Sequence, residues 1–388
     1  GRKQLARRGL QKLNKVSYKL MKFTISKTEI VKALSPTLGV VEKRHAMPML
    51  SNILLAVEEN SVSFTATDLE SQVKTTCTTA SVETTGKTAA SARKLSDLCR
   101  LLPDGSDILI YLDGHKLFVE SGSGKYSIAT QQSEDFPMFD DAGESSEFKI
   151  IAPTLRDMIR KTSFSMDSQN WKHHLNGMLV NIEDKVITLT ATDGHRLATC
   201  SNTIMENITG YLSGIIPRKA VNEIGKLLAD LSDEITVSLG SNTITVQTTN
   251  TAFVSKLIDG SDKVNYQRAL PVGEASTLKV NTKQFSDIIS RVSVLSGDRV
   301  KGIKLDIGSN SVLVSSNNPQ QEVGEESFKA EFSGDDLEIA FSVSYIQEML
   351  SNIDSEHCIF HIYGSEKSCL VTSTNDAELK YVIAPLLL

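Results

Sequence analysis

The chain repeats itself three times. An alternating stretch at residues 51–70, SNILLAVEENSVSFTATDLE, recurs at 176–195 as NGMLVNIEDKVITLTATDGH and more faintly at 302–320 as GIKLDIGSNSVLVSSNNPQ, each copy about 125 residues after the last. A fixed period means that one structural unit has been written more than once. The 388 residues are therefore expected to form three tandem domains rather than one large core.

Each copy is flanked by the same kinds of segment. Upstream, apolar residues three and four apart predict a helix: Ile30, Val31 and Leu34; Leu155, Met158 and Ile159; Phe285, Ile288 and Ile289. Downstream, SARKLSDLCRLL, IPRKAVNEIGKLL and SVSYIQEML predict a second helix, each followed by alternating strands such as ILIYL and KLFVES with Asp113-Gly114 between them. Every repeat then holds two helices and about eight strands, an α+β fold in three tandem copies with the helices packed on antiparallel sheets. The repeat ends place the domains at 21–145, 146–272 and 273–388. Residues 1–20 carry seven basic residues and no acid; Met21 opens MKFTIS, which reads as a first strand. That segment is read as an upstream basic extension or an added leader and kept out of the fold, with a DNA-binding arm as the alternative.

Without the first twenty residues, 34 basic residues stand against 47 acidic ones, a net charge of about −13. The six predicted helices (27–38, 92–101, 153–162, 217–228, 281–291 and 343–353) nevertheless sum to +7, so strands and loops carry about −20. Helices facing one way would line a basic surface suited to phosphates without base reading. Lys and Arg are also good helix formers on ordinary exposed faces, and charge alone leaves both readings open.

Other chemistry finds little support. Gly86-Lys87-Thr88 lacks the earlier glycine of a phosphate-binding loop, since Ser81 stands there, and Gly122-Ser123-Gly124 has Ser127 in place of the third glycine of a dinucleotide fingerprint. His357 and His361 lie in a strand pattern that holds them about 13 Å apart, which suits a structural role and not a metal. Five scattered cysteines form no C-x-x-C pair and fit buried thiols in a reducing, cytoplasmic setting. No apolar run of about 18 residues suits a bilayer, and no cofactor or metal is expected. Asp193-Gly194-His195-Arg196 reads as a turn after a strand, with an acid–base site at Asp193 and His195 as the rival. Trp171, the single tryptophan, sits in the polar loop SMDSQNWKHHLNG as either a loop anchor or a DNA contact.

MKFTIS at 21–26, TATDLE at 65–70, ARKLSDLCRLLP at 92–103, LNGML and TATDGHRLA within 175–198, PRK at 217–219, SKLIDG at 255–260, VSY at 343–345 and YVIAP at 381–385 together resemble the bacterial DNA polymerase III beta-subunit family of sliding clamps. The likeness spans nearly all of residues 21–388, and TATDGHRLA is its most specific stretch. It implies a non-catalytic processivity factor: a head-to-tail homodimeric ring, helices inside and sheets outside, encircling double-stranded DNA without regard to sequence. It also implies partners, namely the DNA polymerase III alpha subunit, the clamp loader, other polymerases and repair proteins, docking linear peptides of the Gln-x-x-Leu-Phe type.

By the same resemblance, the peptide cleft is made of Leu175, Thr192, Gly194, His195, Arg196, Leu197, Val264, Ala269, Tyr345, Ser368, Val382, Ala384, Pro385 and Leu386. DNA contact falls to Arg44, Arg93, Arg100, Gln169, His173, His174 and Arg218. The ring interface falls to Lys125, Tyr126 and Ile128 at one end and Val294, Leu295, Glu322 and Glu326 at the other. Two departures from the family pattern bear on the cleft. Val264 stands where proline is common, and the tail Ala384-Pro385-Leu386-Leu387-Leu388 lacks the usual Met before Pro and the Arg near the end. An open, repeat-built scaffold that does not bind DNA is the second rival to the clamp.

Overall fold

The computed structural model describes residues 21–41, 47–139, 143–260, 265–297 and 301–387. The segment 1–20, Arg44, Val264 and Leu388, all singled out above, lie outside the described residues. The described chain forms two compact units, one from the residues before Gly143 together with Thr245–Ser255, the other from Gly143–Ile244 and the residues from Lys256 onward.

In the first unit, period-two alternation becomes burial. Phe23 and Ile25 of Lys22–Ser26, Ile108 and Ile110 of Asp107–Asp113, and Leu117 and Val119 of Lys116–Ser121 are buried, while the residues between them are more exposed. These strands pair antiparallel in the order 22–26, 107–113, 116–121, 124–131, and Asn52–Glu58 is flanked by Ser61–Thr67 and Gly86–Ser91. Two helices cover the sheet: α1 (Lys27–Val40) and α2 (Ala92–Leu101). Both start on a serine whose hydroxyl accepts a backbone N–H, Ser26 from Glu29 at 3.3 Å and Ser91 from Lys94 at 3.4 Å. Helix α1 runs two residues past its expected end and through Pro36, and the Thr37 hydroxyl donates to the Leu34 carbonyl at 2.6 Å just beyond it.

The second unit holds α3 (Ala152–Ser163), α4 (Arg218–Leu227), α5 (Thr282–Val292) and α6 (Val343–Leu350). Residues Arg196–Cys200 pair with Leu379–Ile383, which pairs with Cys369–Ser373 and so on to His357–Ile362 and Ser276–Asn281. One sheet thus passes from the second repeat into the third. The expectation of about eight strands per repeat needs correcting for the second, where six are found among the described residues. Two of them, Gly177–Thr192 and Arg196–Pro217, are 16 and 22 residues long. Register shifts around Asp184, whose φ is +52°, bend the first of these where a break was expected.

The most specific stretch of sequence has a local cause. In the first repeat the Thr67 hydroxyl donates to the Ser71 carbonyl at 2.9 Å and accepts from the Leu69 N–H, while Asp68 Oδ1 accepts the N–H groups of Glu70 and Ser71. In the second, Thr192 donates to the Arg196 carbonyl at 2.6 Å and accepts from Gly194, while Asp193 Oδ1 accepts from His195 and Arg196. Asn318 takes the aspartate's part in the third, accepting from Gln320 and Glu322. Each turn needs one left-handed residue, supplied by Leu69 (φ +73°), Gly194 (φ +92°) and Gln321 (φ +63°).

All five cysteines are buried and free. Burial pushes the Cys77 thiol up to about 11, and those of Cys99, Cys200 and Cys358 up to about 12. His361 is half-buried in the strand His357–Ile362, with its Nε2 2.9 Å from the Thr372 hydroxyl, and burial lowers its pKa.

The basic helices carry less unpaired charge than the count suggested. Lys27 pairs with Asp104, Lys226 with Glu223, Lys283 with Asp287 and Arg291 with Glu326. Arg156 donates to the carbonyls of Leu228 and Ala229 beyond the end of α4, where partial negative charge collects. Lys32, Lys94 and Arg100 are exposed.

Candidate functional site

A shallow cleft opens in the second unit, lined by Phe164, Ser165, Arg196, Leu197, Tyr345, Met349, Tyr381, Val382 and Ile383. Its position follows from the strand pairing. Register sets Arg196 opposite Ile383 and Leu197 opposite Val382, which places the TATDGHRLA turn against the last strand of the chain. Helix α6 contributes Tyr345 and Met349, four apart on one helical face. Tyr381 closes the floor: its side chain is buried, its hydroxyl donates to the Lys161 carbonyl at 2.9 Å, and its ring meets Phe164 edge-on at 5.5 Å.

Arg196 organises this wall. Its Nε donates to Asp193 Oδ2 at 3.0 Å, one Nη donates to the Phe164 carbonyl at 2.8 Å, and the other pairs with Glu348 of α6. The guanidinium lies 4.4 Å from the centre of the Tyr345 ring and 5.4 Å from that of Phe164. Burial raises the Tyr345 phenol's pKa, and the Asp193 carboxylate adds to the effect. Arg196 thereby ties the second repeat's turn to the third repeat's helix and leaves an apolar floor between them.

Four of the residues expected in the cleft line this cavity: Arg196, Leu197, Tyr345 and Val382. Others stand at its margins. The exposed His195 ring lies over Tyr345 at 6.5 Å, Thr192 and Gly194 shape the turn, Ala384 donates its N–H to the His195 carbonyl at 2.9 Å, and Leu386 donates to the Ala340 carbonyl at 2.8 Å. Leu175 ends the short turn His173–Leu175, Ala269 is exposed in the turn Tyr266–Ala269, Ser368 precedes the strand Cys369–Ser373, and Pro385 lies half-buried in the tail. Phe164, Ser165, Met349, Tyr381, Ile383 and the clamping Glu348 were not anticipated. Met349 had a signal in its spacing from Tyr345, whereas Phe164, just past α3, had none.

The residues expected at DNA fall in two groups. Arg93 and Arg218 open the second helix of the first and second repeats and do the same structural task, donating to the loop carbonyls of Val41 at 3.3 Å and Met166 at 2.9 Å. Gln169, His173 and His174 lie in the loop after α3, and Arg100 projects from the last turn of α2. Trp171 in that loop is 81% exposed, so it is not the loop's anchor. Asp167, Asn170 and Asn176 hold the loop instead, and hydrogen bonds from Asn170 and the Gln169 N–H keep the Asp167 carboxyl below its ordinary range.

The ring-edge residues divide likewise. In the first unit Lys125 bridges Glu120 and the Tyr111 hydroxyl above the stacked Tyr111 and Phe118 rings, Tyr126 is 42% exposed, and Ile128 turns inward and is buried. In the second unit Val294 is 78% exposed, Leu295 is half-buried, Glu322 accepts from Asn318 at 2.6 Å, and Glu326 pairs with Arg291 at 2.7 Å.

Comparison with known proteins accounts for the repeat. Three family models match in succession: the DNA polymerase III beta subunit N-terminal domain at residues 21–140, its central domain at 149–261 and its C-terminal domain at 267–387. The beta sliding clamp of Pseudomonas aeruginosa is 35% identical over 366 residues, 94% of this chain and all of that protein, and that of Escherichia coli is 33% identical over the same coverage. A crystal structure of the P. aeruginosa clamp bound to griselimycin superposes with a TM-score of 0.92 at 35% identity, over 95% of this chain and all of that one. The C. crescentus beta sliding clamp gives 0.91 at 27% identity over the same shares. The chain therefore belongs to the DNA polymerase III beta-subunit family, the bacterial sliding clamps, whose part in replication is to confer processivity without catalysis.

Proposed function

We propose that two copies of this chain, each of three domains joined near residues 145 and 272, close head to tail around duplex DNA. The closing edges are Lys125 and Tyr126 at one end and Val294, Leu295, Glu322 and Glu326 at the other, with Ile128 backing the first. The polymerase III alpha subunit, the clamp loader and other polymerases and repair proteins then dock Gln-x-x-Leu-Phe peptides in the cleft. The observation that carries this reading is the largely apolar cleft that Arg196 borders: Leu197, Met349 and Val382 supply its greasy walls beside the guanidinium of Arg196, which is fixed on the Phe164 carbonyl. Arg93 and Arg100 of the first unit, and Gln169, His173, His174 and Arg218 of the second, touch phosphates weakly enough to permit sliding.

Retention on nicked circular DNA tests encirclement. The clamp should be retained on the circle and lost once the circle is cut, whereas equal retention on both forms would sink the ring. Size in solution separates a closed dimer from an open scaffold. For the cleft, Leu197→Ala should weaken a Gln-x-x-Leu-Phe peptide with the fold intact, and unchanged affinity would mean that the peptide docks elsewhere. An acid–base site at Asp193 and His195 finds no support in the geometry. Both Asp193 oxygens are taken, Oδ1 by two backbone N–H groups and Oδ2 by Arg196.

A further inference from the structure

We propose that Trp171 is a stacking platform for an unpaired DNA base, with Lys172 positioned for the neighbouring phosphate. The proposal rests on the reading of the chain as a DNA clamp and adds to it a contact with single-stranded DNA. Among the exposed large apolar side chains this indole is one of the most open, at 81% exposure. Its loop is nonetheless built firmly without it. The Asp167 N–H donates to the Leu175 carbonyl at 3.0 Å, and Asp167 Oδ2 accepts from the Asn170 amide at 2.9 Å. Asn170 and Asn176 exchange hydrogen bonds of 2.7 and 2.8 Å, and Arg218 grips the Met166 carbonyl at the loop's entrance. A large aromatic displayed on a fixed loop, and not used to hold it, meets a partner at little cost in ordering.

The chemistry of that partner follows from what surrounds the ring. Lys172 Nζ stands 5.2 Å from the ring centre, setting an ammonium over one face of an indole that stays 81% exposed. Gln169, Lys172 and His173, exposed around it, are polar or basic, so the rim suits an anion and not the apolar surround of a protein hot spot. Within a duplex, base faces are covered by their neighbours and only edges and phosphates are offered, to which an indole brings one N–H donor. An unpaired base presents its whole π-face, and stacking on it is indifferent to sequence.

Trp171 is the only tryptophan in the chain, so its fluorescence reports this loop alone. The full chain is titrated with a short single-stranded oligonucleotide, a blunt duplex of the same length and a Gln-x-x-Leu-Phe peptide. The single strand should quench the emission and the blunt duplex should not, and Trp171→Ala should bind the single strand about five- to tenfold more weakly, as measured by anisotropy of a labelled strand, while Trp171→Phe keeps most of the affinity. An unchanged thermal melt of Trp171→Ala serves as the folding control. No quenching by single strand, equal quenching by duplex, or quenching by the peptide instead would each overturn the assignment. Short oligonucleotides cannot retain a ring, so failure here leaves the circular-DNA test standing, and failure of that test leaves the fluorescence result readable.

Discussion

Arg196 does several things with one planar group, and its replacement separates them. Arg196→Ala removes the partner of Asp193 and Glu348, frees the Phe164 carbonyl and uncovers the Tyr345 ring. We expect a loss of about 2 kcal/mol in unfolding stability, read as a lower urea midpoint, and a larger loss of peptide affinity than the stability change accounts for. Lys161 is a second buried charge with a predictable signature. It pairs with Asp157 at 2.7 Å and Asp376 at 2.8 Å; burial opposes its charge, but these hydrogen bonds outweigh burial and hold its pKa above the ordinary lysine value. Burial likewise opposes the Asp157 carboxylate, and Lys161 and Arg160 outweigh it, so its pKa is depressed. The lysine's share of stability is whole below its unfolded value of about 10.4 and lost only as pH rises through the folded one; the aspartate's is whole above about 3.9 and lost as pH falls through the depressed one. Lys161→Met should therefore cost about 2–3 kcal/mol at neutral pH, with the deficit shrinking in acid below about pH 4 as the carboxylates protonate. A deficit constant from pH 7 to 3 would show that the network acts through packing alone.

Two glycines at the level of the element give opposite expectations. A Cβ on Gly177, at the start of the long strand Gly177–Thr192, would sit 2.5 Å from the Ile216 carbonyl oxygen and 2.8 Å from Ile215 Cγ2. Gly177→Ala should destabilise by about 1–3 kcal/mol. On Gly225, inside α4, the nearest atom would be Ile159 Cγ2 at 3.8 Å, ordinary contact, so Gly225→Ala should stabilise by about 0.5–1 kcal/mol. Thermal melts of both variants check the pair. Helices were the most legible elements, since the apolar period marks each of them: five of the six helices begin within a residue of where the 3.6-residue pattern starts and end within two of where it fades, α6 stops three short, and three of the six start on a capping Ser or Asn side chain. Strand breaks in the second repeat were not, because whether a chain bends or stops at Asp184 depends on its partner strand, which local sequence does not specify. The cleft was half legible for the same reason. Leu197 and Tyr345 belong to recognisable stretches, and Ile383 lies in another but reaches the cavity only by pairing with Arg196 across some two hundred residues, whereas Phe164, just past α3, belongs to none.

For the whole molecule, the decisive quantity is how little of its positive charge is left over. A chain whose helical cations are largely engaged with its own carboxylates and carbonyls has few to offer a phosphate backbone, so binding to a short linear duplex should be weak, with a log–log salt slope no steeper than about −4. A slope near −10 would reveal a basic surface beyond the residues named here. The sealed cysteines bear on how such experiments are built. The thiolate is the reactive species, and at a pKa of about 12 only on the order of one thiol in 10^5 is ionised at neutral pH, behind a shell that reagents cannot enter without unfolding. With Cys77 and Cys369 buried as well and their pKa values likewise raised, the native thiols should react slowly with maleimide dyes in the folded protein. A single cysteine introduced at an exposed edge position such as Ser123 or Val294 is labelled alone. Paired dyes on the two ring edges can then follow opening and closing on DNA with every natural cysteine left in place.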